Sequence, residues 1–140
     1  MADVTSLSPG AVNAMVASAF PGNRAICVEL DEHSAVAEVT MDDRDIRPGG
    51  FIAGPTQFAI VDAALWFLVF GALGRIEPMA LTSELSIRYL RPAVGSTLHA
   101  RAELAAISRR SVVGTVTVWT TNPAKPTAVA QGTYALPLST

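Results

Sequence analysis

Hydrophobic positions along this chain follow two rhythms, and the change between them divides it into elements. From Phe58 to Leu73 nearly every residue is apolar, and Asp62 is the only charge in the run. The run is a helix's length but falls short of the about 20 apolar residues that cross a bilayer, so it predicts a buried helix and no membrane span. Gly54 and Pro55 mark its start, with Pro55 fitting the first helical position, where a missing N–H costs nothing. Gly71, Gly74 and Pro78 mark its end. Phe58, Ile60, Val61, Leu65, Trp66, Leu68, Val69 and Leu73 occupy every side of it, which predicts that other elements wrap it all round.

Elsewhere the period is two. Arg24 to Asp31 and Ala35 to Met41 alternate apolar and polar residues about the turn Glu32-His33-Ser34 and predict an antiparallel hairpin. After the helix, Ala80 to Leu90 sets Leu85, Ile87 and Tyr89 on one face against Glu84, Ser86 and Arg88 on the other, and Arg91-Pro92 ends it. Thr97 to Ile107 and Val112 to Thr121 follow, joined by a polar turn at Ser108 to Ser111, and Thr127 to Leu136 is the last strand. Ser8-Pro9 opens a short amphipathic helix through Ala19, stopped by Pro21-Gly22. The order predicts an α+β fold in which one antiparallel sheet of about five to six strands wraps a long central helix.

Composition adds further expectations. Residues 1–140 suit a single domain whose core needs no disulfide or metal. Half of the residues are hydrophobic and 16% are charged, which points to apolar surface hidden in a dimer or tetramer. A net charge of −2 without a basic stripe gives no footing for nucleic acid. Cys27, the only cysteine, reads as core and excludes an internal disulfide. His33 in a turn and His99 in a strand read as structural or solvated; with Cys27 they form no metal-ligand cluster, and no nucleotide-binding glycine loop is present. The start MADVTSLSPG lacks the basic and apolar regions of an export signal, so the cytoplasm is the expected compartment.

Asp62 is the residue to explain. A carboxylate within an apolar helix loses hydration on folding, a cost offset by partners or by function. Its spacing from Gly54 across the helix start, and the following strand that ends in LSIRYLRPA, resemble the hot-dog-fold acyl-CoA thioesterases, in the branch of the phenylacetate-degradation enzymes. The resemblance implies a single hot-dog domain that hydrolyses an acyl-CoA. It also implies Asp62 as general base or nucleophile, the Gly54 amide as donor to the thioester oxygen, and Thr82 as a hydroxyl that assists water. Coenzyme A enters only as part of the substrate, and no separate cofactor is implied. Where relatives often read His-Gly-Gly, this chain reads Ala53-Gly54-Pro55, so no step through an imidazole is carried over. An asparagine of some relatives falls on or near Arg47, and no role is carried there either.

Elementary geometry adds a constraint. A thioester hydrolase needs a base or nucleophile and a donor at the developing oxyanion, and a helix start offers such a donor. From Gly54 to Asp62, at 1.5 Å per residue, is about 12 Å along one helix. One carbonyl cannot touch both groups unless Asp62 of one subunit faces Gly54 of another, at two equivalent sites of a two-fold dimer.

Further candidates surround this pair. Pro55 would fix the direction of the loop, and Thr56 offers a competing first-turn amide. Phe58, with Phe51, Trp66 and Phe67, is a candidate lining for an aryl or medium-chain acyl group. Arg91, Arg109 and Arg110, with Arg88, are candidates for the phosphates of coenzyme A. Each also has a plain reading as turn, strand, core or surface residue. Hot-dog hydratases pair a histidine with a carboxylate, and no histidine stands at this helix start. The remaining alternative is a non-catalytic acyl-CoA or aromatic-ligand binding protein of the same fold.

Overall fold

Alternating strands and one continuous apolar helix assemble as their patterns require in a computed structural model that describes residues 7–138. Ser8 caps α1 (Pro9–Ala19) by accepting the Ala11 N–H at 3.0 Å. Strands β1 (Ile26–Leu30) and β2 (Ser34–Thr40) form the expected hairpin. A 3₁₀ turn at Asp43–Asp45 and a two-residue hairpin, β3 (Ile46–Arg47) with β4 (Phe51–Ile52), lead into α2 (Gly54–Leu73). Four strands follow: β5 (Leu81–Tyr89), β6 (Thr97–Ile107), β7 (Ser111–Trp119) and β8 (Ala128–Ala135).

The main sheet has six antiparallel strands in the order β1-β2-β6-β7-β8-β5, and α2 lies across its concave face. This is the expected hot-dog arrangement. The inward residues of the central strands are small, among them Ala35, Ala37, Ala100, Ala102 and Ala128, so the helix settles close to the sheet. Gly114 and Gly132, paired across β7 and β8, take this furthest: a Cβ on either would come within 2.8 Å of Leu65. A side chain there would push α2 off the sheet. Gly74, in the left-handed region at φ 73°, ends the helix as its position predicted.

Three details differ from expectation. Pro55 is the second residue of α2, because Gly54 already has helical geometry. The segment between β2 and α2, which has no readable period, is ordered by side-chain contacts described below. The helix is not wrapped all round, since Pro55, Phe58 and Ala59 are exposed and Asp62 is half-buried. These positions repeat at i, i+3, i+4 and i+7, so they form one open stripe along α2. The apolar helix itself is long enough to qualify as a span by composition, but it is the core helix of this domain, with most of its residues buried.

Candidate functional site

Two side chains from neighbouring strands converge on the carboxylate of the central helix. Register pairs Thr82 of β5 with Tyr134 of β8, and both face α2. The Thr82 hydroxyl donates to Asp62 Oδ1 at 2.6 Å. The Tyr134 hydroxyl donates to the same oxygen at 2.6 Å and also lies 3.1 Å from the Asp62 carbonyl. Burial, then the hydrogen bond to Asp62, pushes the Tyr134 hydroxyl well above the ordinary tyrosine range, so it stays a donor. The desolvation expected for Asp62 is thus met by two charge-assisted hydrogen bonds and by partial exposure.

Asp62 opens into a cavity of about 710 Å³ between α2, the end of α1 and the start of β5. The helix contributes Thr56, Ala59, Asp62, Ala63 and Trp66, and the small Ala59 and Ala63 make the floor. Trp66 and Phe20 meet edge to face, centroids 6.2 Å apart, at one end. Arg24 and Asp45 stand at the other.

That ion pair organises the helix start. Arg24 holds the nearly inaccessible Asp45 carboxylate through both nitrogens, at 2.9 and 2.6 Å, and also donates to the Thr40 carbonyl. Asp45 accepts further from the Asp42 N–H at 2.8 Å and the Thr56 hydroxyl at 3.1 Å, and its carbonyl accepts the Ala53 N–H. These bonds, with Arg24 foremost, hold the Asp45 carboxyl well below the usual aspartate range. The loop is thereby tied to the first turn of α2. A buried bond from Thr127 to Gln57, 2.8 Å, ties the same turn to the residue just before β8.

Gly54 opens elsewhere. It lines a second cavity, of about 790 Å³, with Arg47, Phe51, Pro55, Tyr89 and Arg91. Its N–H has no acceptor among the described residues, whereas the Thr56 N–H bonds back to the Ala53 carbonyl at 3.1 Å. Of the two competing amides, Gly54 is the free one. The Tyr89 hydroxyl donates to the Gly54 carbonyl at 2.9 Å, and a Cβ on Gly54 would sit 3.1 Å from that hydroxyl. A side chain at this position would have to displace the Tyr89 ring by a few tenths of an ångström.

The other candidates separate. Arg91 lines the Gly54 cavity while donating to the Pro126 carbonyl at 2.7 Å. Arg109 and Arg110 are exposed in the β6–β7 turn and line neither cavity. Phe58 stands on the open stripe outside both, and Phe67 is fully buried in the core. His33 is exposed in its turn; His99 stacks on Trp119 and lies 3.4 Å from Glu38. Among the described residues no group of histidine, cysteine or acidic side chains is arranged to hold a metal. Sequence reasoning missed Tyr134, Arg24 and Asp45. The one available signal was Tyr134's inward position in β8, where a buried hydroxyl needs a partner.

Comparison with known proteins agrees with this architecture. The sequence model of the thioesterase superfamily matches residues 49–127. A protein from Silicibacter sp. TM1040, described as a candidate thioesterase, superposes with a TM-score of 0.82 at 26% identity, over 95% of this chain and 94% of that one. The Escherichia coli PaaI protein of the phenylacetic acid degradation operon gives 0.76 at 20% identity, over 92% of each chain. A thioesterase from Haemophilus influenzae gives 0.79 at 16% identity, over 95% of this chain and 94% of that one. The last two likenesses are of fold. No curated protein matches the chain by sequence.

Proposed function

The chain belongs to the thioesterase superfamily, and from that premise we propose that it hydrolyses an aryl or medium-chain acyl-CoA at a site shared by two copies of itself. Asp62 serves as base or nucleophile, and the amide of Gly54 of the partner subunit binds the oxyanion. One observation carries this reading. Asp62 and Gly54, the two groups a thioester needs, lie on one helix but open into different cavities.

The open stripe of α2 supplies the means to join them. Phe58 lies midway between Gly54 and Asp62, four positions from each. Two such helices packed antiparallel about a two-fold axis at Phe58 bring each Asp62 to the other copy's helix start. The surface supports this packing. Among the described residues edge strand β5 has no neighbour on its outer side, and Met79 just before it and Leu81 at its start are 68% and 67% exposed. An open edge flanked by apolar side chains is a surface suited to pairing with a second copy.

In that arrangement the acyl group enters the Asp62 cavity, whose volume suits a small-molecule tail and whose end is closed by Phe20 and Trp66. The thioester carbonyl lies at the helix start, where the free N–H and the helix dipole stabilise negative charge as it develops. Coenzyme A then extends along the second cavity, past Arg91 and Arg47. Release of free thiol from a panel of aryl, short, medium and long acyl-CoAs tests the reading. Turnover of aryl or medium-chain members supports it; binding without turnover of any member overturns it in favour of a ligand-binding protein.

A further inference from the structure

Both hydrogen bonds to the Asp62 carboxylate fall on one oxygen. Thr82 and Tyr134 each reach Oδ1 at 2.6 Å, and among the described residues Oδ2 has no donor. We propose that Tyr134 is a positioning residue that clamps Oδ1 and thereby assigns the chemistry to Oδ2. The inference rests on the reading of Asp62 as base or nucleophile, and it names which oxygen reacts and what holds it there.

An aspartate on an exposed stripe turns about two side-chain bonds, and either oxygen would meet the substrate at random. Two fixed donors on one side remove that freedom. The Tyr134 ring is 5% exposed and embedded among core residues, so its hydroxyl cannot follow a moving carboxylate. Thr82 is exposed, on the open edge strand, and a threonine alone is a weaker anchor. The cross-strand pairing of Thr82 with Tyr134 sets the two hydroxyls side by side, so the clamp is a property of the sheet register. With Oδ1 bonded twice, Oδ2 retains free lone pairs for a water proton or an acyl carbon.

Removing the hydroxyl alone tests this. Tyr134→Phe keeps the ring in the core and deletes one charge-assisted hydrogen bond, so kcat is expected to fall about tenfold or more while KM stays within about twofold. In an Asp62→Asn background the same change should cost almost nothing further, since the group it positions is gone. A Tyr134→Phe enzyme that loses thermal stability but keeps its kcat overturns the inference. So does one whose loss simply multiplies with that of Asp62→Asn. If Asp62→Asn itself leaves the rate intact, the proposed function falls first, which separates the two failures.

Discussion

Gly54 and Asp62 stand eight positions apart on the same helix, yet each opens into a cavity that the other does not line. The first turn and the third turn of α2 are about 12 Å apart. Closing that gap with a second copy gives Phe58 a specific role, because it sits at the midpoint and remains 42% exposed in the single chain. Phe58→Lys is therefore expected to separate the dimer and lose activity with it, while the isolated fold changes by no more than about 0.5 kcal/mol, as for surface positions. Sedimentation and a thiol-release assay on the same sample check this; an active monomer would contradict it.

Asp62→Asn should lower kcat by at least about 100-fold, the scale of a lost general base. Folding should be nearly unaffected, because the amide oxygen still accepts from Thr82 and Tyr134 in place of Oδ1. Kinetics beside a melting curve separate the outcomes. Retained turnover would mean that the carboxylate is structural.

The Arg24–Asp45 pair predicts a pH signature of stability. Asp45 has its acidity raised in the folded protein, chiefly by Arg24, so its contribution is fully present above the ordinary aspartate value of about 4. It is lost as pH falls below that value. Arg24→Met leaves a buried carboxylate without its cation, and at pH 7 this should cost about 2 kcal/mol, less than for a wholly buried pair because one side of Arg24 faces solvent. Urea unfolding at pH 7 and pH 3 should show the difference between the two proteins shrinking at the lower pH. An equal difference at both would mean that the pair contributes through packing alone.

Periodicity made most of this fold readable. The alternation of β1, β2 and β5–β8 fixes which side chains face α2, and the apolar run of α2 reports that most of the helix is buried. What it could not report is which burial partner belongs to the same chain. An all-round apolar helix looks alike whether the sheet covers every side or one stripe, here Pro55, Phe58 and Ala59, is left uncovered. The loop from Asp42 to Ala53 was unreadable for another reason: it is held by single long-range contacts, such as Arg24 to Asp45 across 21 positions, that leave no repeat. Asp62 stood out by contrast with its neighbours. Tyr134 did not, because the meeting of its hydroxyl with Asp62 depends on how β8 pairs with β5.

Mixing two inactive variants asks whether each site takes Asp62 from one subunit and the Gly54 amide from the other. Asp62→Asn and Gly54→Val are each expected to be inactive alone, the second because valine crowds Tyr89 and blocks the amide. In a heterodimer of the two, one site carries both defects and the other carries neither. Activity of the isolated heterodimer should then return to about half that of the native dimer. If Asp62 works with Gly54 of its own chain, every site in the heterodimer carries one defect, and no recovery of activity would contradict the account.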